Sequence, residues 1–222
     1  MKPLRRAWVR LLRFGYRLLY NELAWTYDLV SRLVSFGEWR AWGRSGVKHL
    51  NIQPGSAARL LEVAHGTGNI HLDLRAMGFH VVGLDLSRAM GRITARKLRR
   101  LGFAPQLVRA DVFVLPFPAG VFDAILSTFP TNFITEPAMI AESYRVLKPG
   151  GRLVFVPNAL FTRADAATLT LEALYRATGQ RRSELADDLW MTRFTDAGFG
   201  LRHVIEPHRR SASVVFIAEK LH

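Results

Sequence analysis

Cysteine is absent from the 222 residues, which excludes a disulfide framework and thiolate chemistry. No run of about 18 apolar residues exists, so no transmembrane helix is expected. A signal peptide is not expected either, because Arg10, Arg13 and Arg17 interrupt any apolar stretch near the N-terminus. These absences fit a cytoplasmic protein. Acidic residues are scarce, 18 against 31 Lys and Arg, and the formal net charge is +13. Lysine is scarce too, so the surplus is arginine. Such a balance implies a negative partner, whether anionic lipid, nucleic acid or an acidic protein, or else an arginine-rich genome. Residues 1–50 hold ten basic and three acidic residues. The length suits one α/β domain with a full core, and 49% apolar content argues against disorder. No internal repeat, low-complexity tract or metal site is read from the chain, and no oligomeric state.

Residues 2–20 read as an amphipathic helix. Arg6, Arg10, Arg13 and Arg17 follow steps of four, three and four and share one face, with Trp8, Leu11, Leu12 and Leu18 elsewhere. That pattern suits a segment lying in an anionic membrane interface, or a helix capping the domain's own core. Helices continue over 21–53, and Pro54-Gly55 separates them from the main domain, 54–222. From there strand and helix alternate, which argues for parallel βαβ units. Strands are expected over 59–63, 80–84, 104–110, 122–128 and 152–156. Helices are expected over 69–77, from an N-cap at Ser87 to about 101, and over 137–147 with Pro137 in its first turn. Further helices read over 164–178 and 187–198, and two strands over 201–205 and 214–218 join at a basic loop.

The organising stretch is Leu60-Leu61-Glu62-Val63-Ala64-His65-Gly66-Thr67-Gly68. An apolar run ends in a small, Gly-rich turn, then a helix begins; such turns let a ligand approach the backbone. Asp85 closes the next apolar run and Asp111 the one after. Leu147-Lys148-Pro149-Gly150-Gly151 follows at the expected distance. The series resembles the class I S-adenosylmethionine-dependent methyltransferases, and more narrowly their UbiE/MenG-like branch, which methylates ubiquinone and menaquinone precursors. The resemblance covers roughly residues 20–160. It implies a Rossmann-like α/β sheet, mostly parallel with a C-terminal antiparallel hairpin, under an N-terminal helical lid (1–53) that includes Tyr27-Asp28 and Trp39 to Trp42.

It also implies S-adenosylmethionine as cofactor. Ala64, His65, Gly66, Thr67 and Gly68 would approach its methionine and ribose portion. Asp85 would accept from the ribose hydroxyls and Asp111 from the adenine amino group, with the Val112 N–H on a ring nitrogen. Glu62 would orient the loop or the ligand's amino group, and Leu86 and Thr128 complete the set. A nicotinamide-binding domain is the competitor, but it requires a third glycine where His71 stands. Glycine is usual in the family where this chain has Ala64. Alanine tolerates positive φ poorly, so a negative φ is expected at Ala64. His65 is expected to fill space beside the cofactor or to touch its carboxylate.

Methyl transfer is an in-line displacement that needs alignment and exclusion of water. Methylation at carbon or oxygen also needs a base, whereas a neutral amine does not. No decisive base stands out; His71, Asn132 and Asp28 are the candidates, with His65 and His208 behind them. After strand four the family carries Arg-Asn, and here Ser127-Thr128-Phe129-Pro130-Thr131-Asn132 keeps only the Asn. Phe129, Phe133, Leu160, Phe161 and the lid aromatics suit an apolar substrate cavity. The expectation is a methyltransferase for a lipophilic small molecule, either a quinone precursor or a phospholipid amine, taken from a membrane surface. A nucleic-acid methyltransferase would suit the charge but lacks the Asn/Asp-Pro-Pro-aromatic turn after strand four. A non-catalytic cofactor-binding protein is the third reading.

Overall fold

The computed structural model describes residues 26–162 and 189–222. The helices expected over 2–20 and 164–178 lie outside the described residues. Seven strands form one sheet: β1 (Arg59–Val63), β2 (His80–Leu84), β3 (Leu107–Val108), β4 (Phe122–Thr128), β5 (Leu147–Phe161), β6 (Phe199–Pro207) and β7 (Ser211–Lys220). Their order is β3-β2-β1-β4-β5-β7-β6. The first five are parallel, and β7 runs antiparallel between β5 and β6. The helices are α1 (Tyr27–Val34), α2 (Trp39–Ser45), α3 (Asn69–Ala76), α4 (Arg88–Arg100), α5 (Pro137–Val146) and α6 (Leu189–Asp196).

The apolar runs become strands because both sheet faces are covered. Successive residues of β1, β4 and β5 alternate between two cores. Leu61, Val63, Ile125 and Phe155 pack with Met139 and Ile140 of α5 and Phe194 of α6. Leu60, Leu126, Val154 and Val156 pack with Ile70 and Leu74 of α3 on the other side. Ser87 caps α4, its Oγ accepting the Met90 N–H at 3.2 Å. From β1 the chain builds outward to β2 and β3, then crosses to β4. The crevice at the carboxyl ends of β1 and β4 is therefore the switch point where open α/β sheets bind ligands.

Several strand boundaries differ from the sequence expectation. The expected strand over 104–110 shrinks to Leu107–Val108, an edge strand in register with Gly83 and Leu84 of β2; Pro105 has no N–H to offer a ladder. β5 runs from Leu147 rather than Arg152, because Leu147 pairs with Phe122 before an irregularity in the ladder. It also continues to Phe161, since Asn158–Phe161 find partners in Ser211–Val214 of β7. The hairpin strands are longer than expected for the same reason. Short 3-10 turns over Gly46–His49 and Asn132–Thr135 were not expected.

The helices preceding β1 are fastened to the main domain by polar contacts. Arg40 and Arg44 of α2 both grip the buried Asp73 of α3, through Nε at 2.8 and 2.7 Å and Nη2 at 2.5 Å each. On its other flank α2 meets β7: Trp42 Nε1 donates to Ser211 Oγ at 2.7 Å, and Ser45 and Ser213 hydroxyls lie 2.8 Å apart.

Candidate cofactor site

β1 delivers the chain to the turn Ala64–Gly68, and α3 begins at Asn69. Ala64 has φ +56°, which corrects the negative value expected for it. The Ala64 and His65 N–H groups both donate to the Leu84 carbonyl, at 2.7 and 3.3 Å, and this pins the left-handed turn against β2 despite the Cβ. Gly66 and Gly68 also take positive φ, at +56° and +78°. A side chain on Gly68 would drive into Thr94 of α4, whereas one on Gly66 would meet nothing within 4 Å. The loop thus packs tightly below and stays open at Gly66.

Asp85 stands where β2 ends. Its Oδ2 accepts the Gly66 N–H at 2.9 Å and its Oδ1 accepts the Ser87 N–H at 2.7 Å. The carboxylate is therefore held in place beside the loop, with lone pairs left for hydroxyl donors. Leu86 follows it, 58% exposed. The Asp85 N–H donates to Val108 O at 3.2 Å, which sets the end of β2 beside the end of β3. Asp111 follows β3 and is exposed; its Oδ1 accepts the Phe113 N–H at 3.1 Å, and Val112 is half-buried.

Beneath the loop lies a polar group inside the core. Glu62 is 1% exposed and His71 is 0% exposed. His71 Nδ1 and Glu62 Oε2 are 2.8 Å apart, while Glu62 Oε1 and His71 Nε2 have no protein partner. A buried carboxylate oxygen without a partner is costly unless a ligand donor or water meets it. His71, a candidate base in the sequence, is fully buried under the loop and offers no exposed face to a substrate. His65 is buried beside it, with Nδ1 donating to Gly66 O at 2.9 Å. The two imidazoles fit because residue 83 is Gly: a Cβ there would lie 2.9 Å from His65 Cδ2 and 3.0 Å from His71 Cε1.

Asp28 of α1 reaches the loop from above. Its carboxylate accepts from Thr67 Oγ1 at 2.5 Å, Asn69 Nδ2 at 2.9 Å and Lys97 Nζ at 2.6 Å. Burial pushes its carboxyl up, but the Lys97 ammonium and the Thr67 and Asn69 donors outweigh this and leave it below the ordinary aspartate value. A carboxylate so held is a poor proton acceptor, and Asp28 ties α1, the loop and α4 together. Asn132 is exposed at the start of its 3-10 turn. His208 sits on the β6–β7 turn, its Nε2 2.9 Å from Ser213 Oγ, beyond the loop cluster.

Thr128 ends β4 beside the crevice, and Phe129 after it takes φ +52°, a strained value for an aromatic residue. Its ring stacks on Trp39 at 3.7 Å between centroids, and Trp42 and Phe161 extend the cluster. Phe133 packs instead on the main core, and Leu160 is exposed. The aromatic cluster at the end of β4 therefore consists of Trp39, Trp42, Phe129 and Phe161. Sequence reading missed Lys97, Thr94 and Asp73. Arg40 and Arg44, four apart on one helix face, signalled an acidic partner, but nothing local named Asp73.

Residues 61–155 match the family model described as a methyltransferase domain. A demethylmenaquinone methyltransferase of Thermus thermophilus is 42% identical over 139 residues, 61% of this chain and 62% of that protein. One of Streptomyces avermitilis is 32% identical over 160 residues, 72% of this chain and 67% of that protein. The chain thus spans a little under two thirds of the Thermus relative. Among solved structures, geranyl diphosphate C-methyltransferase of Streptomyces coelicolor, bound to Mg2+, geranyl diphosphate and S-adenosyl-L-homocysteine, aligns with a TM-score of 0.59 at 17% identity. The alignment covers 81% of this chain and 78% of that one, and the likeness is one of fold.

Proposed function

The chain belongs to the UbiE-like branch of the class I methyltransferases, and from that premise we propose that it moves a methyl group from S-adenosylmethionine to a carbon of a lipophilic quinone precursor. The observation that carries the reading is the joining of Asp85 to the open Gly66 turn, over a buried Glu62 oxygen that lacks a partner. Those residues fit the cofactor. Glu62 Oε1 offers an acceptor to an ammonium group, Asp85 to paired hydroxyls, and Asp111 with the Val112 N–H to an adenine edge. Leu86 and Thr128 flank them. Bound there, the cofactor supplies an electrophilic methyl group on a sulfonium. The chain's own contribution is to orient and to exclude water. Asp28, Thr67 and Lys97 hold the loop, and the stacked Trp39 and Phe129 form a dry wall at the end of β4.

A second reading, methylation of a phospholipid amine, is favoured by one observation. The candidate bases are spent: His71 is fully buried, Asp28 accepts three hydrogen bonds, and Asn132 is not basic. A neutral amine acceptor requires no such base. A nucleic-acid substrate is less well supported, because Phe129 stacks on Trp39 instead of standing free for a flipped base. A non-catalytic role draws no support from Ala64, which takes the left-handed turn that glycine would take. Action at the inner face of a membrane, through the arginine row of residues 2–20, completes the proposal; among the described residues no helix is long and apolar enough to cross a bilayer.

The test is transfer of labelled methyl from S-adenosylmethionine into a total lipid extract, then partition between organic and aqueous phases. Label in the organic phase is expected, and mass spectrometry of that phase separates quinone from phospholipid. Label confined to RNA or to water-soluble acceptors, with cofactor binding intact, would remove the lipophilic substrate.

A further inference from the structure

A groove of about 800 Å³ runs beside the candidate cofactor site, between α4 and the edge strand β3. Its rim carries Arg88, Arg92, Arg96, Arg99, Arg100 and Arg109, all exposed. Its apolar lining comes from Ala95, Pro105, Leu107 and Val108. Asp85, at one end, is the only acidic residue lining it, and both its oxygens are engaged by backbone N–H groups. Among the described residues no carboxylate lies within ion-pair distance of any of the six arginines. Six like charges in one groove repel one another, and the natural compensation is a bound anion. Guanidinium groups favour phosphate oxygens, which they meet bidentately.

We infer that this groove binds the phosphate headgroups of anionic lipids. Two features select lipid over other phosphates. The arginines of α4 extend from residue 88 to 100, about 18 Å at 1.5 Å per residue, which suits an array of phosphates rather than a single small ion. Large exposed apolar side chains flank α4 in the chain, Leu86 at 58% before it and Leu101 at 60% after it, outside the groove's own lining. The Leu86 carbonyl accepts from Arg109 Nε at 3.0 Å, so the apolar and cationic parts are fastened together. A single-stranded nucleic acid would need aromatic platforms for its bases, and no Phe, Tyr or Trp lines the groove. The site is built from residues 85–109 with His65, and it goes beyond the choice of methyl acceptor.

The experiment is co-sedimentation of the full chain with vesicles of phosphatidylcholine, with and without phosphatidylglycerol, for the parent and for the triple variant R92Q/R96Q/R99Q. Glutamine keeps the helix, and calorimetric binding of S-adenosylmethionine, expected unchanged, reports that the variant folds. The parent is expected to bind phosphatidylglycerol vesicles and the triple variant to lose on the order of a hundredfold in partition, about fivefold for each arginine near a charged surface. Unchanged partition of the triple variant would overturn the inference and leave membrane binding to residues 2–20. Displacement from vesicles by inorganic phosphate at matched phosphate concentration would overturn it in favour of a soluble anion. Preference for a single-stranded RNA oligomer, lost in the triple variant, would overturn it in favour of nucleic acid.

Discussion

Ala64 holds a left-handed backbone that costs a residue with a Cβ about 1–2 kcal/mol. Replacing it with glycine removes that strain but adds freedom to the unfolded chain, worth about 0.4–1 kcal/mol. Ala64→Gly is therefore expected to stabilise the protein by roughly 0.5–1 kcal/mol, a rise of about 1–4 °C in Tm by calorimetry for a chain of this size. A lower Tm would show that the Ala64 methyl group, packed against the main core, matters more than its φ. In the proposed cofactor site Asp85 would meet the ligand itself. Asp85→Ala removes an ionised acceptor, worth about 1.5–3 kcal/mol per hydrogen bond. Titration calorimetry should show cofactor affinity weakened about 10- to 100-fold, with an unchanged far-UV spectrum. Equal affinity would move the ribose contact elsewhere.

At the scale of elements, α1 and α2 are attached by charge. Asp28 joins α1 to the loop and α4, and its carboxyl lies below the ordinary value of 3.8. A depressed folded-state value means that the contribution is complete above the unfolded value and is lost as pH falls through the lower, folded one. Asp28→Asn should lower Tm at pH 7 by the equivalent of about 1 kcal/mol or less, since the side chain is 40% exposed and screened. The gap between parent and variant should persist at pH 5 and close below the ordinary aspartate value. A gap undiminished in strong acid would rule out an ionic tether. Asp73 is the stronger anchor, buried at 4% and gripped by two guanidinium groups that are about half exposed. Asp73→Ala should cost about 1–3 kcal/mol in urea denaturation. It should also open α2 to proteolysis, while Glu142→Ala, remote from α2, should not.

For the molecule as a whole, the net charge of +13 opposes compaction. Salt shortens the screening length from about 30 Å at 0.01 M to about 8 Å at 0.15 M. Tm should therefore rise with sodium chloride over that range. A fall would mean that the ion pairs of Asp28, Asp73 and Glu206 outweigh the repulsion among arginines.

The order of strands and helices was legible because local pattern carries it. Apolar runs of strand length closed by Asp85 and Asp111, with Gly66 and Gly68 at the first turn, place acceptors at adjacent strand ends. The full length of β5 was not legible, because Asn158–Phe161 depend on β7, more than fifty residues away. The same holds for two candidate bases: the Asp28 carboxylate pairs with Lys97, and His71 lies in the core against Glu62. The sequence by itself determined the βαβ order, the carboxylates that follow β2 and β3, and the excess of arginine. Only the tertiary structure decided which acidic groups are paired, that Ala64 turns left-handed, and that six arginines share one groove with no ion-paired carboxylate among the described residues. Periodicity reports which way a side chain faces along its own element. Partners, burial and unbalanced charge are set by elements far apart in the chain and brought together by packing.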